Sequence, residues 1–160
     1  MSNLDKINKP DLDEMMKNDK TDNFNTMHLK DFANARLEIQ KADIPQNGVM
    51  NSHGKQYNYT KLEDMINIAE PILLKHNLLS NFTEIETEEG NNVKIKYRMR
   101  ITHVINRQYF ESIITVYSGR RSQEIGTQMT YARRYLYESI LLIRGTPDTD
   151  ADDGKRGDLS

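Results

Sequence analysis

Residues 122–154 read SQEIGTQMTYARRYLYESILLIRGTPDTDADDG, and the part of this stretch up to residue 143 carries a helical pattern. Its apolar residues recur at intervals of three or four, which is the spacing of one helix face; they are Ile125, Met129, Ala132, Leu136, Ile140 and Ile143. On such a helix Arg134 falls opposite the apolar stripe, and Arg133 falls on one flank. Tyr131 and Tyr135 fall on the other flank. The stretch therefore predicts a core-anchored helix with arginines and tyrosines on its remaining surface.

The chemistry of these side chains favours single-stranded nucleic acid. A guanidinium group binds phosphate through two hydrogen bonds, and an unstacked base can stack on a tyrosine ring. The candidate DNA-binding residues of the helix are therefore Arg133, Arg134, Tyr131 and Tyr135. In the structural alternative, Arg134 is a solvated charge and Arg133 pairs with a carboxylate such as Glu138. Gly126 costs about 1 kcal/mol relative to alanine in a helix, which indicates close packing or backbone contact.

Three antiparallel strands are predicted before this helix, at residues 78–88, 93–104 and 107–117. The second strand alternates apolar residues with four cations, Lys94, Lys96, Arg98 and Arg100. Because side chains alternate between the faces of a strand, these cations share one face at intervals of about 6.6 Å. This interval is close to the phosphate spacing of an extended single strand, so the row is a candidate binding surface.

Glutamates of the first strand oppose part of this basic row. Glu84, Glu86 and Glu88 also alternate. A register that keeps the apolar residues together sets them across from Lys94 and Lys96, where ion pairs form. The better DNA candidates are then the arginines of the row and of the following loop: Arg98, Arg100, Arg120 and Arg121. With the helix lying across one face of the sheet, they and the helix arginines are predicted to line one groove.

The chain divides into three parts. Residues 1–25 are polar and show no apolar face, which predicts a mobile tail. Residues 26–146 are predicted to form the folded domain. Residues 147–160, with five acidic and two basic side chains, are predicted to be an acidic tail. The domain is expected to begin with a helix over residues 26–42, whose stripe is Leu29, Phe32, Ala33, Leu37 and Ile39.

The segment after this helix has weaker signals. Residues 47–55 are polar and predict a mobile loop. Tyr57 and Tyr59 alternate on a short extended element, so one ring is expected in the core and the other at the surface, or a ring stacks on a base. Residues 60–76 predict a second helix, which Thr60 caps as part of a capping box and which is kinked or split at its internal proline.

Length and composition fit one domain with a single core, because the chain has 160 residues, 36% of them hydrophobic and 29% charged. The net charge of −2 conceals a basic segment, since residues 92–146 hold 10 basic and 3 acidic side chains. A local basic surface is what phosphate contact requires. No apolar run reaches the roughly 18 residues that cross a bilayer, and the start lacks a signal core. We expect no membrane partner and a cytoplasmic location.

The residue types argue against several kinds of site. The chain has no cysteine, and its four histidines show no ligand spacing. The run that starts at Asp148 begins like a calcium loop, but Asp153 stands in place of the glycine and Leu159 in place of the final glutamate. The sequence contains neither a phosphate-binding loop nor a nucleophile arrangement. We therefore expect no metal, no cofactor and no enzymatic activity.

Three segments together resemble the bacteriophage ERF (essential recombination function) family: YNYTKLED at residues 57–64, GTQMTYARRYL at 126–136 and DDG at 152–154. The resemblance covers about residues 30–154. It implies an α+β fold, in which a curved three-stranded antiparallel β-sheet packs against helices as in the core of eukaryotic single-strand annealing recombinases. It also implies ATP-independent annealing of single-stranded DNA by a homo-oligomer, a ring or filament, in the cytoplasm of a host bacterium. Host or phage recombination proteins are the partners it implies.

Other functions stay open at this point. Within nucleic-acid binding, the alternative is a mediator that loads a host recombinase onto single strands. From other classes, a metal-dependent nuclease would use the aspartates at residues 148–153. A protein-binding inhibitor module would use tyrosine and methionine surfaces instead.

Overall fold

The computed structural model describes residues 12–143, with side chains described from residue 23 onward. The elements in this part are α1 (Leu12–Lys41), β1 (Gly48–Ser52), β2 (Lys55–Tyr59), α2 (Leu62–Lys75), β3 (Leu78–Glu89), β4 (Val93–His103), β5 (Tyr109–Ser118) and α3 (Ser122–Leu141). Strands β3, β4 and β5 form an antiparallel sheet in that order, and β1 and β2 form a separate hairpin. The α+β class with a three-stranded antiparallel sheet is confirmed. No helix within the described range is long and apolar enough to span a membrane. The predicted acidic tail, residues 147–160, lies outside that range.

Strand β4 is the centre of the sheet and sets its two faces. Every second residue from Val93 to His103 is buried, and the residues between them are partly exposed. The buried face packs on helices, because Ala132 and Leu136 of α3 and Ala69 of α2 belong to the same core. The alternation predicted for this strand is confirmed. We call the opposite side of the sheet, which carries the four cations of β4, the outer face.

The register between β3 and β4 confirms the predicted ion pairs. Glu88 lies opposite Lys94, with Nζ and Oε2 3.2 Å apart. Glu86 lies opposite Lys96, with the corresponding distance at 2.6 Å. The hydrogen bond from Lys96 lowers the pKa of Glu86, and the hydrogen bond to Glu88 raises the pKa of Lys94. These two cations of the row are therefore compensated within the sheet.

Helix α3 buries most of its predicted apolar stripe, with one exception and one addition. Ala132 and Leu136 are buried as expected, but Met129 is 42% exposed. Tyr137, which lies outside the stripe, is buried and donates a hydrogen bond to Glu70 of α2. A buried phenol requires such a partner. The neighbouring helix supplies it, and a pattern read from α3 alone contains no information about that neighbour.

Helix α2 is continuous through Pro71, so the predicted split is wrong. The helix buries Ala69 and Leu73 on either side of the proline, and this burial offsets the hydrogen bond that proline cannot make. The N-cap residue is Lys61, whose side chain makes no capping hydrogen bond, and Thr60 is buried instead. The predicted capping box at Thr60 is therefore also wrong.

Helix α1 begins at Leu12, well before the predicted start at residue 26. Its core residues are Phe32, Ala35 and Ile39. Leu29 and Leu37, which belonged to the predicted stripe, are exposed. Phe32, which belonged to the predicted stripe, stacks on Phe110 of β5 with the ring centroids 4.1 Å apart. The early start was missed because residues 12–25 lack an apolar face.

The predicted loop at residues 47–55 is instead the β1–β2 hairpin. His53 and Gly54 form its turn, with φ values of 49° and 75°. Two consecutive positive φ values match a type I′ turn, whose twist suits tightly paired antiparallel strands. Gly54 was the sequence signal available for this turn.

A buried histidine connects α1 to the sheet. His103 at the end of β4 is fully buried, and its Nε2 lies 2.8 Å from Oδ2 of Asp31. Its Nδ1 accepts a hydrogen bond from the backbone N–H of Asn106 at 3.3 Å, so the ring proton is on Nε2 and is donated to Asp31. Burial by itself would raise the pKa of Asp31, but the hydrogen bonds from His103 and Asn77 hold it below its ordinary value of 3.8.

We predict that Asp31→Ala lowers the free energy of unfolding by about 1–3 kcal/mol, because the buried Nε2–H of His103 loses its acceptor. Asp31→Asn keeps an acceptor oxygen and should lower it less. Urea denaturation at neutral pH measures both variants. If Asp31→Ala unfolds at the same urea concentration as the wild type, this hydrogen bond does not stabilise the packing of α1.

Candidate nucleic-acid interface

Helix α3 and the β1–β2 hairpin together hold a stack of tyrosine rings and one guanidinium group. The guanidinium carbon of Arg134 lies 4.6 Å from the ring centroid of Tyr59 and 6.0 Å from that of Tyr131. The rings of Tyr131 and Tyr135 are 4.4 Å apart and tilted by 37°. We call Tyr59, Arg134, Tyr131 and Tyr135 the α3 stack. It brings together three of the side chains predicted to contact DNA.

A glycine makes room for the hairpin end of the stack. Gly48 of β1 lies opposite Tyr59 of β2 in the hairpin register. A Cβ atom at Gly48 would stand only 2.6–2.8 Å from atoms of the Tyr59 ring. The ring therefore lies close to the backbone of Gly48 and also contacts the guanidinium of Arg134. This cation–π contact joins the hairpin to α3.

Arg134 is held in place and is not the exposed charge expected from the helical pattern. Its side chain is 14% exposed, and that of Glu138 is 12% exposed. The Nε atom of Arg134 lies 3.7 Å from Oε1 of Glu138 and has no hydrogen-bond acceptor among residues 23–143. Its position away from the apolar stripe was predicted correctly, but the Tyr59 ring of the hairpin lies against its guanidinium. The guanidinium is therefore a fixed, mostly buried cation whose Nε has no acceptor in the described chain.

Tyr131 lies between Arg134 and Tyr135 in the stack, and it remains 38% exposed. Burial of its hydroxyl group, and then its hydrogen bond with Tyr135, raise the pKa of Tyr131 to about 12. The phenol therefore stays neutral at physiological pH and does not repel phosphate. Because the two tyrosine rings touch, a base cannot enter between them and can stack only on an exposed ring surface.

Arg133 points to different neighbours from Arg134. Its guanidinium carbon lies 5.7 Å from the ring centroid of Phe82 on β3, and that ring stacks on Tyr97 of β4. The Nε atom of Arg133 is buried and has no hydrogen-bond partner within residues 23–143. The alternative ion pair with Glu138 is therefore made by Arg134, and the two adjacent arginines do not act as one pair.

The sheet arginines lie on the other side of the sheet from α3. Arg100 pairs with Glu111 of β5 at 3.0 Å and lies 4.0 Å above the ring of Tyr109. Arg98 of β4 lies opposite Thr83 of β3 on one side and Ile113 of β5 on the other. No carboxylate of the described chain pairs with it. The predicted single groove is wrong, because the pleat of β4 turns its buried residues toward the helices and its cations away from them.

The loop arginines lie where α3 begins. Arg120 donates a hydrogen bond to the backbone oxygen of Gly90, in the turn between β3 and β4. Arg121 is the N-cap residue of α3, and its backbone N–H donates to Glu124 at 3.2 Å. The Arg121 side chain is exposed. About 15 Å of helix axis separates it from Tyr131, so both lie along one helix.

Sequence reasoning missed several partners of these side chains. Tyr57 and Tyr59 are both half-buried, because residues two apart on a strand point to the same face. The predicted division of the two rings between core and surface is therefore wrong. Glu111 was missed as the partner of Arg100 because only the glutamates of β3 were considered, although β5 also alternates. A Cβ atom at Gly126 would meet nothing within 4 Å, so the close packing predicted there is wrong. No group of three or more possible metal ligands occurs in the described residues.

Comparison with known proteins identifies the family. The family model described as the ERF superfamily matches residues 29–157, which is most of the chain and includes all of α3. No curated protein matches the chain.

We predict that Gly48→Ala destabilises the protein by about 1–3 kcal/mol, because the added methyl group collides with a Tyr59 ring that Arg134 holds in place. In a Tyr59→Ala background the same substitution should cost little. Unfolding free energies of the four proteins form a double-mutant cycle that measures this coupling. Gly126→Ala is the control, since it meets no obstacle and should stabilise the helix by up to about 1 kcal/mol. Equal costs of Gly48→Ala in both backgrounds would contradict the stack.

Proposed function

Because this chain belongs to the ERF superfamily, we propose that it binds single-stranded DNA and anneals complementary strands without ATP in phage homologous recombination. In this proposal it is a binding protein and not an enzyme, and it acts as a homo-oligomer in the host cytoplasm. Its partners are single-stranded DNA and, during recombination, other host or phage recombination proteins.

The α3 stack is the observation that supports this proposal most directly. It combines an exposed tyrosine ring with a fixed guanidinium, which are the two groups that non-specific single-strand binding requires. Stacking on a ring tolerates any base, because every base has a π-face. Such contacts hold a strand without reading its sequence and leave the base edges free to pair with a complementary strand.

The proposed strand path runs along α3 from Arg121 to Tyr135. It covers about 21 Å of helix axis, which is enough for a few extended nucleotides. Arg121 offers an exposed cation at one end, and the α3 stack offers a ring and a cation at the other. The sheet cations form a separate surface, in which Lys94, Lys96 and Arg100 already have carboxylate partners.

Annealing places a further demand on the assembly. One subunit of this size displays only a few bases, whereas pairing between two strands requires many bases held in register. Several subunits side by side meet that demand by extending the path. This requirement supports the homo-oligomer in the proposal.

We predict that the protein accelerates annealing of complementary fluorescent oligonucleotides with no nucleotide cofactor. Tyr131→Ala should weaken single-strand binding roughly 5- to 150-fold, since a stacked base contributes about 1–3 kcal/mol. Tyr131→Phe keeps the ring and should bind almost as the wild type does. Phe24→Ala, at an exposed aromatic residue of α1, is the matched control. Strand binding without annealing, together with stimulation of a recombinase, would indicate a mediator instead.

A second measurement separates the helix from the sheet. Arg121→Ala should reduce the slope of log affinity against log salt concentration by about 0.7, the value for one phosphate contact on a single strand. Arg98→Ala, on the outer face of the sheet, should leave the slope unchanged. Fluorescence anisotropy titrations at several salt concentrations measure both variants. If Arg98→Ala reduces the slope and Arg121→Ala does not, the strand path lies on the outer face of the sheet instead.

A further inference from the structure

The two edges of the sheet have opposite character. The β3 edge is interrupted by a bulge between Glu84 and Glu86 and carries further glutamates towards its end. Bulges and charges are the features by which proteins prevent unwanted pairing at a sheet edge. The β5 edge has neither: its ten residues pair with β4 in unbroken register. Its one charged residue, Glu111, is held by Arg100.

Strand β5 also exposes large apolar side chains on the outer face. Tyr109 and Ile113 are each 50% exposed, and Tyr117 is 65% exposed. Within the described part of the chain, no strand other than β4 pairs with β5. An edge strand with unpaired backbone groups, few charges and exposed apolar residues is a template for a further strand.

We propose that β5 pairs in antiparallel fashion with β5 of a second copy of this chain, which joins two sheets into one of six strands. In an antiparallel pair, residues opposite each other point to the same face. The outer-face residues of β5 are odd-numbered, and the middle one is Ile113. A twofold axis at Ile113 therefore keeps both outer faces together, and it sets Tyr109 opposite Tyr117 and Glu111 opposite Thr115 of the second copy.

Charge selects this pairing over the alternatives. With β5 against β5 no two like charges meet, and both Ile113 side chains become buried against each other. A pair of β3 strands would bring the glutamates of both copies together, and β3 against β5 would offer those glutamates no cation. If two copies instead packed with their outer faces together, Arg98 of each copy, which has no carboxylate partner in the described chain, would point toward the other sheet.

The inference adds one twofold contact to the homo-oligomer of the proposed function and rests on it in that respect. A twofold contact closes after two copies, so a longer strand path requires a further contact between dimers. The twofold axis is perpendicular to the sheet, so the two α3 helices lie on the same side of the joined sheet and run in opposite directions. If each α3 helix binds a DNA strand with the same polarity relative to the helix axis, the two DNA strands are antiparallel. This is the relative polarity that two complementary strands require.

Disulfide trapping tests the pairing directly, because the chain has no cysteine of its own. Residues opposite each other in an antiparallel pair have Cα atoms roughly 4.5–5.5 Å apart, within the range that a disulfide spans. Under mild oxidation without DNA, Ile113→Cys should become mostly covalent dimer on a non-reducing gel. Leu79→Cys is the matched control, since Leu79 is also 50% exposed but lies on β3. Equal cross-linking of the two variants, or none for Ile113→Cys, overturns the proposal.

A second variant tests the same contact without oxidation. Ile113→Lys places two like charges at the twofold axis and should raise the dimer dissociation constant at least tenfold in sedimentation equilibrium, whereas Leu79→Lys should not. A wild type that stays monomeric, or equal effects of the two lysines, overturns the pairing. Single-strand affinity measured on the same proteins distinguishes the two failures. If the protein is monomeric but binds DNA, only the proposed dimer is contradicted. If it is a dimer but does not bind DNA, only the proposed function is contradicted.

Discussion

The pleat of β4 is the constraint on which the rest of the structure depends. Every second residue from Val93 to His103 is buried, and these side chains form the face of the sheet on which α2 and α3 pack. The residues between them are the four cations and Thr102, and the same geometry turns these away from the helices. One strand thus fixes both where the core lies and which cations cannot share a surface with α3.

The second determining contact is the one between Arg134 and Tyr59. Gly48 leaves space for the Tyr59 ring, and the ring in turn supports the guanidinium next to Tyr131. In the proposed function, this arrangement gives a single side chain both a structural role and a binding role. Arg134 stabilises the hairpin on α3, and it presents a cation whose position is fixed before any ligand arrives. Pre-organisation of this kind reduces the entropy lost on binding.

Charge compensation explains why a protein with a basic segment does not have a uniformly basic surface. Carboxylates of β3 and β5 pair with Lys94, Lys96 and Arg100 across the strands. Arg98 on the outer face and Arg121 at the start of α3 are among the cations that have no carboxylate partner in the described chain. In the proposed function, binding at α3 depends on the placement of a few groups more than on net charge.

The sequence by itself determined the strands of the main sheet, the ion pairs of β4 with β3, and a terminal helix that carries the arginine and tyrosine residues. These follow from local periodicity and from cross-strand opposition, both of which are visible in a single chain. Only the tertiary structure decided the rest. Tyr59 packs against Arg134, Phe110 stacks on Phe32 of α1, and Glu70 accepts a hydrogen bond from the buried Tyr137. Each of these contacts joins residues far apart in the chain, and a residue's own periodicity contains no information about what packs against it.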